Sequence, residues 1–345
     1  MNKPATIKDI AQRLNISIST VSRSLRNAPD VSPETKQAVI ALSEELSYQP
    51  NKLALSLRQK QTHTIGVIVP NLDYVLSTMV KGIDEVALEA GYTVMVCQSN
   101  ESYGREILNT RRLLDSLVDG LIISVSSETK LFDHFKKVQD RGLPIVIFDR
   151  VTPDLVAPSV RIDNEEGGFL ATEHLLEQGY RRIAILAGPV NLGISNSRME
   201  GYLKALKRNK IKRDNSLIVY CDFNQDYAYY ATRELLTLKK RPDAIFTISD
   251  RMAIGAMLAI KERGLRMPQD IGLVGFNNEP VTRLVTPAIS SVDMPSFELG
   301  KAAAKLFIET MHNNEHMSDV VEVLKPKLQV RESSLRVGVK TGKGR

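Results

Sequence analysis

The chain has 345 residues, 43% of them hydrophobic and 25% charged, two cysteines and a net charge of +6. That length allows two or three domains. No apolar run approaches the ~18–20 residues that span a membrane, and MNKPATIKDIAQRL has no apolar signal-peptide core, which points to the cytoplasm and away from membrane partners. Cys97 and Cys221 lie far apart without metal-binding spacing and read as buried thiols. The positive charge is at the ends. Residues 1–60 hold nine Lys/Arg against five Asp/Glu, and residues 336–345 hold four Lys/Arg and no acid, leaving the middle mildly acidic. A basic N-terminal segment suits a polyanionic partner, although charge alone fits a solvated terminus equally well.

Thr6-Ile7-Lys8-Asp9 is a capping box, and Ile7, Ile10, Ala11 and Leu14 then mark one helical face. Asn15 and Ile16 make a tight turn. Ser17 opens a second helix with Val21 and Leu25 four apart, and Asn27-Ala28-Pro29 ends it. Ser32-Pro33 is an N-cap with proline at the first helical position, and Ala38, Val39, Leu42 and Leu46 form the face of a third helix, ended by Pro50 and Asn51. Three short helices in residues 1–47 make a small all-α domain whose first two form a helix-turn-helix pattern.

The second helix is rich in hydroxyls. In this motif it would lie in the DNA major groove, where small hydroxyls approach phosphates and a long donor reaches base edges. Ser17, Ser19, Thr20, Ser22 and Arg23 supply both, though capping and a surface salt bridge are plainer uses. Ile18 fits a core edge or a thymine methyl. Residues 48–62 read as a short hinge and linker, whose Leu53, Leu55 and Leu57 imply a helix ordered only on binding.

From residue 63 strand-like apolar runs alternate with helices: TIGVIV, YTVMV, GLIIS and PIVIF, then RIAIL, SLIVY, DAIFTI and IGLVGF. Expected helices fall near 77–90, 104–117, 129–141, 196–209, 226–239 and 250–263. Continuous apolar strands are buried on both faces, so two such series imply two doubly wound parallel-sheet lobes. The expected N-lobe is about 63–161 plus 293–322. The C-lobe is about 162–292 plus 323–335, with a disordered basic tail at 336–345. The stretch 289–334 reads as strand, helix (296–312) and two strands that complete the sheets.

Catalytic signatures are missing. No GxGxxG follows a strand, and neither a GxxxxGK[ST] loop nor a GxSxG elbow occurs. The five histidines, His63, His134, His174, His312 and His316, show no metal-ligand spacing. An enzyme is the weaker reading, and no cofactor or metal is expected.

TIKDIAQRLNISISTVSRSLRN, SYQPNKLALSLRQKQTHTIGVIVP, GYRRIAILAGP, SRMEGY, SDRMAIGAM and MPQDIGLVGFNNEP resemble the lactose-repressor (LacI/GalR) family of bacterial transcription regulators, from residue 5 to about 335. The resemblance implies a homodimer, or a dimer of dimers, on near-palindromic operator DNA. It implies that Ile18, Ser19 and Arg23 read bases and that Thr6, Ser17, Thr20, Ser22 and Asn51 hold phosphates. Ala54 belongs to the implied hinge motif, and Leu57 to a minor-groove wedge.

The resemblance also implies a periplasmic-binding-protein-like core with a small-molecule effector between its lobes. Ligands of open α/β sheets sit at the carboxyl ends of strands. The candidates there are Asn71, Asp73, Val75, Leu76, Ser124, Asp149, Arg150, Asp163, Arg198, Phe223, Asp250 and Asn277. Asp149-Arg150 also fits a strand-end ion pair, and Asp250 a helix N-cap. Val75 and Leu76 stand where many relatives carry aromatics. Asn277 stands where many carry Asp, which disfavours an amine-bearing ligand. A sugar or sugar derivative is expected, with a purine as alternative, and a receptor without DNA function as a weaker one.

Overall fold

The computed structural model describes residues 5–48, 61–312 and 320–336, in two compact units that divide at Thr62 and His63. The first unit is three helices: α1 (Ile7–Arg13), α2 (Ile18–Leu25) and α3 (Pro33–Glu45). Each contributes one fully buried side chain to a common core, Ile10, Val21 and Val39. Asn15 turns the chain between α1 and α2 at φ +50°, a conformation asparagine tolerates better than most residues. Ser17 caps α2 and Ser32 caps α3, each accepting the amide three residues on, with Pro33 at the first helical position. Two expectations shift. Ala38 is exposed, so the inner face of α3 runs through Val39, Leu42 and Leu46. The helix also stops before Pro50, with Ser47 at φ +48°.

The second unit contains two six-stranded sheets. In one, β1 (Thr64–Val69), β2 (Thr93–Gln98), β3 (Gly120–Ile123), β4 (Ile145–Phe148), β5 (Ser159–Ile162) and β11 (Val321–Leu324) lie in the order β2-β1-β3-β4-β5-β11, all parallel. In the other, β6 (Ile183–Ala187), β7 (Ile218–Tyr220), β8 (Ala244–Thr247), β9 (Gly272–Asn277), β10 (Ser290–Asp293) and β12 (Lys327–Gln329) lie in the order β7-β6-β8-β9-β10-β12, with β12 antiparallel. Helices cover both faces, so the central strands are apolar throughout. The chain crosses between sheets after β5, after β10 and after β11. The last crossing lies beyond Leu324 rather than at 322.

The helices are α4 (Tyr74–Glu89), α5 (Tyr103–Asp115), α6 (Asp133–Gln139), α7 (Asn164–Glu177), α8 (Gly193–Arg208), α9 (Gln225–Leu235), α10 (Asp250–Glu262), α11 (Val281–Leu284) and α12 (Ser296–His312). The helix expected over 129–141 is shorter. Thr129 instead gives its hydroxyl to Glu106, and Phe132 is buried ahead of the helix. Neither β5 nor α7 was apparent in the sequence. The second carries Gly167-Gly168 just after its first turn, a poor helix-forming pair. The glycines serve packing: a Cβ on Gly168 would lie 2.1 Å from the Arg198 carbonyl oxygen, and one on Gly201 would lie 2.0 Å from that of Glu165. Thus α7 and α8 touch backbone to backbone. Among the described residues no helix is long and apolar enough to cross a membrane.

This contact gives a direct test. Gly201→Val must push α8 away from α7 and should lower unfolding stability by about 1–3 kcal/mol, the range for overpacked sites. Chemical denaturation followed by circular dichroism measures it.

Candidate functional site

Two surfaces carry the chemistry. The first is on α2. Val21 and Ser24 face inward, while Ser17, Ile18, Ser19 and Arg23 are exposed and Thr20 and Ser22 half-buried. Ile18, left open by its spacing, is therefore not a core residue: it is 45% exposed. The Ser17 hydroxyl is a hub, accepting from the Thr20 amide at 3.0 Å and bonding the hydroxyls of Ser19 at 2.6 Å and Thr20 at 2.8 Å. Arg23 pairs with Asp30 at the surface, and Arg26 donates to the Ser22 carbonyl. On α1, the Asp9 carboxylate reaches back to the amide and hydroxyl of Thr6, both at 2.7 Å. Asn51, Ala54 and Leu57 lie outside the described residues. Residues 5–48 hold equal numbers of Lys/Arg and Asp/Glu. The basic excess of the N-terminal segment comes from Lys3, Lys52, Arg58 and Lys60, also outside them.

The second surface is a cavity of about 580 Å³ at the carboxyl ends of both sheets, where open α/β sheets hold their ligands. Loops after β1, β2, β3 and β4 face loops after β6, β7, β8 and β9. Asn71, Asp73, Val75, Leu76, Asp149, Arg150, Arg198, Phe223 and Asn277, all expected at such a site, line it together. Five lining residues, Asn100, Glu101, Asp149, Phe223 and Asn277, adopt positive φ. Outside glycine that conformation is costly, and it concentrates where function requires it.

The polar groups are held firmly. Arg198 is 3% exposed. Its Nε donates to Asn164 Oδ1 at 2.8 Å, its Nη1 to the Ile248 carbonyl at 2.6 Å, and its guanidinium stacks 3.7 Å from the Phe276 ring centre. Burial pulls its pKa down to about 10, against the opposing pull of Asp149, so it remains charged at neutral pH. Burial pushes the Asp149 carboxyl up, against Arg150 and Arg198. Arg150 grips Glu101 with two bonds, Nη1–Oε2 at 2.7 Å and Nη2–Oε1 at 2.8 Å, and Glu101 also accepts the Ser127 amide at 2.8 Å. Burial pushes Glu279 up, opposed by its hydrogen bond with Asn277 and by Arg251.

Three candidates are not in the wall. Ser124 is fully buried with its hydroxyl unpartnered among the described residues. Asp163 caps α7 by accepting from the Glu166 amide. Asp250 is wholly buried behind the wall, taking the Ser291 hydroxyl and the Glu279 amide, each at 2.7 Å. Its neighbour Ser249 is the residue at the wall and the N-cap of α10. Strand-end position alone does not show which of two adjacent residues faces the cleft.

The sequence reading passed over Glu101, Asp222, Arg251 and Glu279, all in the lining. Each follows a strand that the same rule could have flagged. Among the described residues two polar contacts cross the cleft. Arg251 pairs with Asp73 at 3.0 Å, and the Asn191 amide donates to the Ser127 carbonyl at 2.5 Å. No group of His, Cys, Asp and Glu among the described residues is arranged to hold a metal.

A helix-turn-helix unit joined to a two-lobed α/β core with a polar cleft defines a class of ligand-responsive DNA-binding regulators. The profile of "Bacterial regulatory proteins, lacI family" matches residues 6–51. That of "Periplasmic binding proteins and sugar binding domain of LacI family" matches residues 62–327. The HTH-type transcriptional repressor PurR of Vibrio atlanticus (strain LGP32) is 31% identical over 322 residues, covering 92% of this chain and 96% of that protein. Among solved structures, the lac repressor dimer bound to operator and the anti-inducer ONPF has a TM-score of 0.86 at 28% identity, covering 97% of this chain and all of that one. The complex of the transcriptional regulator CelR with cellobiose has a TM-score of 0.73 at 29% identity, covering 95% and 99%. The chain belongs to the lacI family of bacterial regulatory proteins.

The burial of Asp250 sets a pH dependence. Burial raises its pKa from 3.8 to about 8, against the opposing hydrogen bonds from Ser291 and the Glu279 amide. Folding therefore takes up a proton between these values, and stability falls as pH rises through that window. Asp250→Asn can present its oxygen to the Glu279 amide and its amide to the Ser291 hydroxyl, with no charge to bury. Wild type should lose stability relative to this variant between about pH 5 and pH 8. Urea midpoints across that range read the difference.

Proposed function

We propose that the chain is a cytoplasmic, non-enzymatic repressor that binds near-palindromic operator DNA as a homodimer and releases or holds it according to a small effector in the cleft. The capped, hydroxyl-rich outer face of α2 supports the DNA half. Ser17, Thr20 and Ser22, with Thr6 on α1, are suited to phosphates, while Ser19, Arg23 and Ile18 are suited to base edges and a thymine methyl. Arg23 must leave Asp30 to do so, which surface pairs of this kind allow at little cost.

One observation carries the effector half: loops of both sheets converge on a single cavity with a buried, immobilised arginine and a strained lining. Planar amide, carboxylate and guanidinium groups suit paired sugar hydroxyls, and Phe223 offers a ring for a sugar face. Among the described residues Phe223 is the sole aromatic residue in the lining, where Val75 and Leu76 give no second ring. That favours a sugar over a purine, which a pair of rings would hold better, and agrees with the cellobiose bound by the CelR structure. The effector acts by its differential affinity for cleft states that differ in operator affinity.

Two variants separate the halves. Arg23→Ala should weaken operator binding by about 1–3 kcal/mol and relax selectivity at one base pair, with the fold intact. Fluorescence anisotropy on an operator selected from random DNA measures this, and unchanged affinity removes α2 from the DNA. Arg198→Ala should abolish the effector's influence on that binding while leaving effector-free affinity near wild type. A normal response removes Arg198 from the site.

A further inference from the structure

Arginines in a ligand cavity ordinarily recognise phosphate or carboxylate, because the guanidinium fork matches two oxygens at once. The cleft has three, and each is engaged. Arg251 is paired with Asp73 across the cleft. Arg198 gives Nε and Nη1 to Asn164 and Ile248 and its face to Phe276. Arg150 presents its two-pronged end to Glu101, with Nη1 also 3.2 Å from the Val125 carbonyl. The lining adds five carboxylates, Asp73, Glu101, Asp149, Asp222 and Glu279, so acids outnumber arginines. An anionic ligand would meet this excess without a free fork to receive it.

We propose that the cleft excludes anionic effectors, including phosphorylated sugars, and takes an uncharged polyhydroxy ligand, with Glu101 setting this selectivity by occupying Arg150. Glu101 is placed for the role. It follows β2, lies at φ +62°, and its carboxylate is fixed from two sides by Arg150 and the Ser127 amide. Its carboxylate sits where a ligand phosphate would have to sit to use the same donors. Glu101 acts through Arg150 and is a positioning residue. The proposal rests on the cleft being the effector site.

The test uses the full chain and inorganic phosphate, titrated against chloride at equal ionic strength and followed by thermal shift and calorimetry. Wild type should show no Arg150-dependent phosphate binding. Glu101→Ala leaves a hole lined by a free guanidinium fork and the Ser127 amide. It should gain saturable phosphate binding at least about tenfold tighter than wild type, as expected for charge-assisted hydrogen bonds. Adding Arg150→Met should remove the gain. If Glu101→Ala does not fold, the isosteric Glu101→Gln keeps the packing while removing the charge, and should show a smaller gain of the same kind.

Phosphate binding by wild type that Arg150→Met abolishes overturns the proposal. So does the absence of any gain in a folded Glu101 variant. A parallel panel of parent sugars and their phosphate esters tests the class, and stabilisation of wild type by an ester but not by its parent sugar also overturns it. If the Glu101 variants gain phosphate as stated but effector response survives Arg198→Ala, anion exclusion stands and the reading of the cleft as the effector site fails.

Discussion

The structure depends on one constraint: a parallel sheet covered by helices on both faces leaves only its strand ends for chemistry. The central strands here are committed to the core on both sides, and the edge loops at the carboxyl ends are where polar side chains can gather. Three crossovers between the sheets place two such edges opposite each other. The backbone contact of α7 with α8 ties the first crossover to the core. Gly168 lets the Arg198 backbone come close, so the same packing that makes this contact also positions the arginine of the cleft.

Within the cleft, polar groups divide into those facing the cavity and those behind it. Asp250 belongs to the second kind. It links the start of α10 to β10 through Ser291 and to the loop after β9 through the Glu279 amide. That loop carries Asn277 and Glu279 into the lining. Arg150 and Glu101 do the same on the opposite side, where the Ser127 amide joins the loops after β2 and β3. Buried ionic contacts of this sort are weak sources of stability but hold one geometry against others. The positive φ values at Glu101, Asp149, Phe223 and Asn277 indicate that the surrounding packing, rather than local preference, fixes these loops.

Most of this was legible in residue patterns. Two series of apolar runs gave eight of the twelve strands, the stretch 289–334 gave three more, and the caps at Ser17 and Ser32 gave the helical unit. The misses have physical causes. Strand β5 has a serine and an exposed arginine among its four residues, so it makes no apolar run. Helix α7 carries two glycines in its second turn whose value lies in a contact with α8, a tertiary fact that propensity opposes. Ala38 satisfied a helical spacing, yet it is exposed while Val39, Leu42 and Leu46 pack on the core. In the site, nine of the twelve residues expected there do line the cavity, but strand-end position could not separate Ser249 from Asp250. The neutral Asn277 pointed away from an acidic cleft. The assembled lining is nevertheless rich in acids, because Glu101, Asp222 and Glu279 come from loops remote in sequence.

The contacts across the cleft are slight beside the cores that flank it. Asp73 and Arg251 are each about half exposed, and ion pairs of that exposure contribute roughly 0.2–1 kcal/mol. The Asn191–Ser127 bond adds a neutral hydrogen bond, on the order of 1 kcal/mol. Interactions of this size bias the spacing of the lobes without fixing it. Under the proposed function, a ligand bridging Arg198 on one side and Asp149 on the other would make its full set of contacts only with the cleft closed around it. Differential binding on the order of 5 kcal/mol is what turns a minor state into the dominant one. The rigidity of each wall matters for the same reason: side chains already locked by Asn164, Phe276 and Glu101 lose little entropy on binding, so more of the contact energy is available to move the lobes.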